Sequence, residues 1–336
     1  MSKKSLFLSA LLLSTSLAAG CGDGTNTGNT NTNPDLSTAP DLSMVAAPKD
    51  VVDTAVAAGT FKTLVAAVQA AGLETTLRGT GPFTVLAPTD TAFAKLDTAM
   101  TTKLLTAPYK TELALILTYH VVSGSVKSSA LLGKTQDVAS LAPGGAKLNI
   151  NGSNSKVVIN GNINVTTPDV EAKNGLIHIV DSVILPSIVD TAVGYKDGAT
   201  EFKTLVAAVT AADLVPTLSG PGTFTVFAPT DAAFAALKTS IGDAKFNALL
   251  ADKVKLGRVL KYHVLAATAY AKDVKTGMVD TVAGGTDKLT LTVGVNGVTI
   301  ADSTPTAAKV VFTDLPNRNG VIHVIDKVLI PANLQL

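Results

Sequence analysis

The chain has no tryptophan, one cysteine and four histidines, and aromatic residues make up only 4% of its 336 positions. A single cysteine, Cys21, excludes an internal disulfide and leaves no thiolate ligand elsewhere in the chain. So few aromatics disfavour the stacking platforms used for sugars or single-stranded nucleic acid. Basic and acidic residues nearly cancel, at 27 against 26, and no basic run stands out, so nothing draws the chain to nucleic acid. The GxSxG, HExxH, GxxxxGK[ST] and GxGxxG patterns are all missing. None of the histidines His120, His178, His263 and His323 has an i, i+4 partner, the spacing of a helical zinc site. No catalytic residue, metal or cofactor is expected.

What is present begins with an export signal. Lys3 and Lys4 precede an apolar stretch, Leu6 to Leu17, which is too short for the roughly 20 residues of a membrane-spanning helix. Small residues Ala18, Ala19 and Gly20 lead into Cys21. This stretch resembles the bacterial lipoprotein signal, although Ala18 stands where that signal usually has leucine. The resemblance implies a signal peptide over residues 1–20, lipidation of the Cys21 thiol, and a membrane partnership through the lipid anchor. Gly22 follows, where an aspartate would favour inner-membrane retention, so outer-membrane placement on its periplasmic or surface face is expected. Residues 21–45 are rich in Gly, Thr, Asn and Pro and read as a disordered tether.

The remainder repeats itself. VDTAV occurs at Val52–Val56 and Val189–Val193, and FKTLVAAV at Phe61–Val68 and Phe202–Val209. FTVLAPTDTAF (Phe83–Phe93) returns as FTVFAPTDAAF (Phe224–Phe234), and NGLIHIVDSVILP (Asn174–Pro186) as NGVIHVIDKVLIP (Asn319–Pro331). A period of about 140 residues is a duplicated domain rather than a solenoid. The boundaries are read as 46–186 and 187–332, meeting near Pro186–Ser187. With 46% hydrophobic residues, both copies can bury a core.

Within each copy Phe61, Leu64, Val65 and Val68 share one helix face, and Thr60 is the expected N-cap. FTVLAP reads as a strand stopped by Pro88, after which Thr89 caps a short helix with Asp90 in its first turn. Lys110 to Thr118 reads as a helix running into Tyr119-His120-Val121-Val122, the expected start of a strand. Strand patterns dominate after Lys147. Helices early and strands late in each copy indicate an α+β class. The histidines read as structural, with ring nitrogens satisfying backbone groups. Asp181 and Asp326 sit among apolar residues and require partners within their own domains.

FTVFAPTDAAF and GVIHVIDKVLIP, with a Tyr-His pair between them, resemble the fasciclin domain, twice in order. The resemblance implies two tandem domains, each a β-sandwich-like wedge with packed helices, and a role in adhesion or in matrix and envelope binding. It also implies candidate ligand-binding residues. Asp169 and Val170 in the stretch 167–173, which reads as a loop ahead of the Asn-Gly turn, match an Asp-Ile recognition pair of the family, as do Asp314 and Leu315 in the second copy. Tyr119-His120 and Tyr262-His263 match a second adhesion segment. The expected function is a non-catalytic envelope lipoprotein that binds a surface protein or polysaccharide. A structural spacer without a dedicated ligand, or a hydrolase using His120 or His263, are the alternatives.

Overall fold

A computed structural model describes residues 48–335 except 154, 197 and 199; the signal peptide, Cys21 and the tether lie outside the described residues. In the first repeat, helices α1 (Val51–Ala58), α2 (Lys62–Ala71) and α3 (Glu74–Leu77) lead into strand β1 (Phe83–Pro88). Helices α4 (Asp90–Phe93), α5 (Thr98–Leu104) and α6 (Lys110–Tyr119) follow, then β2 (Val121–Ser123) and α7 (Ser128–Leu131). Five strands close the repeat: β3 (Thr135–Ala139), β4 (Lys147–Gly152), β5 (Val157–Ile159), β6 (Ile163–Ala172) and β7 (Gly175–Val180). The second repeat begins with α8 (Ile188–Gly194), α9 (Lys203–Ala211), α10 (Val215–Ser219) and β8 (Phe224–Pro229). It continues through α11 (Asp231–Ile241), α12 (Asp243–Ala251), α13 (Lys253–Tyr262) and β9 (Val264–Leu265). It ends with β10 (Gly277–Asp280), β11 (Lys288–Gly294), β12 (Gly297–Ala301), β13 (Ala308–Asn317) and β14 (Gly320–Ile325).

Each repeat is α+β, with one seven-stranded sheet in the order β2-β1-β7-β6-β5-β4-β3, or β9-β8-β14-β13-β12-β11-β10. Only β1 with β7, and β8 with β14, run parallel; the other neighbours are antiparallel. The sheet curls until its ends meet. Leu141 N–H donates to Val121 O at 2.7 Å in the first repeat, and Val282 N–H to Val264 O at 2.7 Å in the second. The sandwich-like look of the domain comes from this curl. Register shifts within β6, between Val165 and Val170, bend the strand so that one sheet faces itself.

Strand β1 is buried on both faces, which is why it reads as an unbroken apolar run. Leu86 points into the curled sheet with Tyr119, Leu148, Ile150 and Ile159. Val85 and Ala87 point the opposite way, into a helical layer formed by α2 and α6. That second core continues without a break into the second repeat through Tyr195, Phe202 and Leu205. The Asn-Gly turn between β6 and β7 has a steric reason beyond turn chemistry. A Cβ on Gly175 would stand 2.0 Å from Phe83 O, and one on Gly320 would stand 2.0 Å from Phe224 O. Only glycine lets the parallel strands start side by side.

Three local readings change. His120 is the C-cap of α6 rather than the start of a strand, which begins at Val121. The stretch 167–173 lies almost wholly within β6, because its Pro-Asp pair is absorbed by the bulge instead of forming a loop. Thr60 does not cap α2. The N-cap position is Phe61, and the missing acceptor comes from Asp90, whose carboxylate accepts Thr63 N–H at 2.7 Å and Lys62 N–H at 3.3 Å. Asp231 repeats this with Thr204 and Lys203. Thr89 and Thr230 cap their own short helices as expected, accepting from Ala92 and Ala233.

The aspartate therefore fastens α2 to the end of β1 across 27 residues. Asp90→Ala should destabilise the chain by about 1 to 2 kcal/mol, as loss of an N-cap does. Thr60→Ala should stay within about 0.5 kcal/mol of the parent in urea unfolding. Equal losses at the two positions would contradict this assignment.

Candidate functional site

Histidine is the side chain whose ordinary pKa lies nearest neutral pH, so the four imidazoles are the first candidates for acid-base chemistry. All are buried, with at most 2% of each exposed. His120 Nδ1 lies 2.7 Å from Ile116 O, and its Nε2 accepts Ile184 N–H at 2.9 Å. His263 repeats the pair with Val259 O at 2.8 Å and Leu329 N–H at 2.9 Å. A carbonyl can only accept and an amide N–H can only donate, so both rings are neutral with the proton on Nδ1. His178 and His323 take the opposite tautomer. Their Nε2 atoms donate to Val126 O and Ala269 O, each at 2.8 Å. Their Nδ1 atoms accept the amides of Asp169 and Asp314, at 3.1 and 3.2 Å. Burial pushes the His120 and His263 imidazoles down to about 4, against the opposing pull of their carbonyl bonds. Burial lowers His323 as well.

The Tyr-His segments are thus interior fastenings. Tyr119 and Tyr262 are as buried as their histidines, and their hydroxyls donate to Lys147 O and Lys288 O. A partner on the surface cannot reach Tyr119, His120, Tyr262 or His263 without unfolding the helix end they close. The assignment of these four as ligand-binding residues is corrected on that ground. Two asparagines missed by sequence reasoning serve the same purpose. Asn174 accepts Val51 N–H at 2.9 Å and donates to Leu77 O and Gly79 O, both at 2.8 Å. Asn319 does so with Ile188, Leu218 and Gly220. Asp181 and Asp326 also find main-chain partners, the amides of Asn164 and Lys309.

The Asp169 and Asp314 positions are not alike. Both residues hold a left-handed backbone, φ 57° and 63°, in the bulge of the long strand. The Asp169 carboxylate accepts the Ser128 N–H at 2.9 Å and the Ser128 hydroxyl, yet 34% of its side chain stays exposed. Burial alone would raise its pKa, but the Ser128 hydrogen bonds hold it below the usual carboxylate range. It lies 4.0 Å from His178 Nδ1, but that nitrogen carries no proton and the contact is not an ion pair. In the second repeat Ala271 replaces Ser128, so one carboxylate oxygen loses its hydroxyl donor. Asp314 accepts the Ala271 amide at 2.7 Å, and Lys103 of the first repeat supplies the missing donor at 2.6 Å. Tyr109 completes the joint, its hydroxyl donating to Thr313 O at 2.9 Å and its ring centroid 4.4 Å from that of Phe312. Asp314 is spent on the junction between repeats. Leu315 is fully buried, and Val170 packs partly into the core, so neither is a free apolar contact beside its aspartate.

One buried titratable group was not foreseen. Glu112 on α6 is fully buried and neither carboxylate oxygen has a hydrogen-bond partner, so burial pushes it up to about 8. Helix α8 packs across α6, and a Cβ on Gly194 would stand 2.5 Å from Leu115 Cδ1. The equivalent residue of the second repeat is Lys255, exposed and bonded to Gln335 O. A charged residue at both positions gave no hint that one of them is covered. Among the described residues no cluster of His, Cys, Asp and Glu could hold a metal ion.

The Fasciclin domain family profile matches residues 59–186 and 200–331. The protein sll1483 of Synechocystis sp. is 45% identical over 136 residues, covering 40% of this chain and 73% of that protein. Human periostin is 28% identical over 268 residues, 78% of this chain but only 30% of periostin. Among solved structures, a FAS1 domain pair from the insect cell adhesion molecule fasciclin I covers 83% of this chain and 95% of its own, at a TM-score of 0.36 and 17% identity.

The buried groups make opposite demands on pH. Unfolded histidines protonate near 6.5, whereas His120 and His263 in the fold resist down to about 4. Their stabilisation is complete above pH 6.5 and is lost as pH falls toward 4. Glu112 keeps its proton in the fold up to about 8 against 4.5 unfolded, so its contribution declines as pH rises through that window. Two imidazoles outweigh one carboxyl below 6.5, so the melting temperature should peak near pH 6.5 in scanning calorimetry. Glu112→Gln should abolish the alkaline decline and keep the acid one. A wild-type profile that keeps rising up to pH 8 would contradict the burial of Glu112.

Proposed function

The chain belongs to the fasciclin-domain family, and from that membership we propose that it is a non-catalytic binding protein of the cell envelope. Fasciclin domains are associated with cell adhesion and extracellular binding. The observation that carries the reading is the commitment of all four imidazoles, on both ring nitrogens, to main-chain partners. A ring so held has neither a lone pair nor a proton to lend to a substrate, which argues against the hydrolase alternative. What remains for recognition is surface: the exposed flank of Asp169 and the surroundings of the junction between repeats. The ligand is a matrix component, a polysaccharide or another envelope protein.

Attachment to the membrane is the second part of the proposal. Lipidation at Cys21 would hold the two folded repeats at the outer membrane on the tether of residues 21–45. Among the described residues no helix is long and apolar enough to cross a membrane.

A Cys21→Ser chain should lose incorporation of a fatty-acid label and move from the membrane to the soluble fraction, with its melting temperature unchanged. Persistence in the membrane fraction without label would contradict the anchor. Cells lacking the protein should attach several-fold less to surfaces coated with their own extracellular matrix, and the released Cys21→Ser chain should not restore attachment. Attachment equal to the parent's would leave only the spacer reading.

A further inference from the structure

The two repeats agree at their buried fastenings but diverge along one row of the sheet surface. In the first repeat this row is Asp137 on β3, Asn149 opposite it on β4, and Asn160 at the end of β5. Matched by sheet register, the same row in the second repeat is Met278, Thr290 and Ala301. The first row is a connected polar network. Asn149 Nδ2 donates to Asp137 Oδ1 at 2.9 Å, and Asn160 Oδ1 accepts the Asn149 amide at 3.0 Å. Asn160 Nδ2 lies 3.4 Å from the Tyr119 hydroxyl, itself held by Lys147 O.

This row lines a cleft of about 360 Å³, whose opposite wall belongs to the second repeat through Asp190 and Arg318. The second repeat carries no such polar network at the matched positions, where Met278 is 75% exposed at the surface. The polar row, already ordered by its own hydrogen bonds, faces the cleft, so little side-chain entropy is left to lose on binding.

The unused hydrogen-bonding capacity defines the ligand class. Asp137 Oδ2, Asn149 Oδ1 and Asp190 Oδ1 have no bonded donor among the described residues. Arg318 spends one nitrogen on Ser219 O, and the Lys147 ammonium is unpaired among the described residues. Two carboxylates and two cations cancel, so a charged ligand would meet as much repulsion as attraction. A hydroxyl is both donor and acceptor and can answer each of these groups in turn. We propose that the cleft between the repeats is a subsite for one unit of a neutral glycan, bound by hydrogen bonds to its hydroxyls and not by ring stacking. The proposal rests on the non-catalytic binding reading above and names its ligand class. The volume falls within the usual range for small-molecule sites, roughly 300 to 1,000 Å³.

The test is titration of the purified full chain with cellohexaose, laminarihexaose, mannohexaose and chitohexaose, with hexagalacturonate as the acidic comparison. At least one neutral oligosaccharide should bind. The Asp137→Ala/Asn149→Ala double variant, and separately Arg318→Ala, should weaken it about tenfold or more, the effect of losing hydrogen bonds to charged groups. Thr290→Ala, at the matched position of the second repeat, should bind as the parent does. All variants should melt with the parent, since the substituted side chains are exposed at the cleft. Three results would overturn the proposal: no binding of any neutral oligosaccharide, binding indifferent to the cleft variants, or binding of hexagalacturonate alone. If cells lacking the protein show the attachment defect while no neutral glycan binds, the cleft assignment fails and the envelope-binding reading survives. If those cells attach as the parent does and no neutral glycan binds, the binding role itself fails.

Discussion

In each repeat a buried imidazole stands between a carbonyl at one end of a helix and an amide of a chain segment some sixty residues away. His120 joins the last turn of α6 to Ile184, beyond β7, and His263 joins α13 to Leu329. The neighbouring constraints depend on this one. Fixing the helix end aims Tyr119 and Tyr262 into the curled sheet, where their hydroxyls pin β4 and β11. The second histidine of each repeat then locks β7 or β14 to the segment after β2 or β9, and sets the bulge at Asp169 or Asp314. Leaving one such buried main-chain group unpaired costs about 1 to 3 kcal/mol. Two groups per ring make these residues costly to replace and explain why they recur unchanged in both halves of the chain.

Duplication shows where the fold leaves freedom. Ser128 in one repeat and Ala271 in the other alter the partners of a single aspartate. The oxygen released at Asp314 is taken up by Lys103 of the preceding repeat, which turns a loop fastening into a joint between domains. Gly194 lets α8 lie close against Leu115 of α6, the helix that also carries the buried Glu112. An aspartate-centred recognition site duplicated in sequence is therefore not duplicated in space: Asp169 keeps an exposed flank, and Asp314 does not.

Much of the architecture was legible in the sequence because its determinants are local or repeated. Apolar spacing in FKTLVAAV gave α2 and α9, the run FTVLAP gave β1, and the duplication gave two domains of one family. The failures share a cause. Asp90 caps a helix that begins 28 residues before it, which no local cap rule anticipates. Pro168-Asp169 carries turn chemistry yet continues a strand, because the opposing strand tolerates the bulge. The Tyr-His pairs were candidates through the family resemblance alone, while the residues themselves read as structural; the tertiary fold supplies the main-chain partners of each ring and hydroxyl. The Asp137-Asn149-Asn160 row drew no attention because neither its members' spacing nor their composition marks a site. It becomes visible when sheet register brings the three together and the second repeat walls them in.

The account turns on the histidines being fixed, neutral fastenings, and their side-chain nitrogens report this directly. Long-range ¹H–¹⁵N correlation spectra of the imidazoles should show His120 and His263 protonated on Nδ1, and His178 and His323 protonated on Nε2. Each should appear as a single tautomer across neutral pH. Averaged tautomers, or titration of His120 or His263 near the ordinary value of 6.5, would show rings free to exchange protons and would contradict the structural role assigned to them.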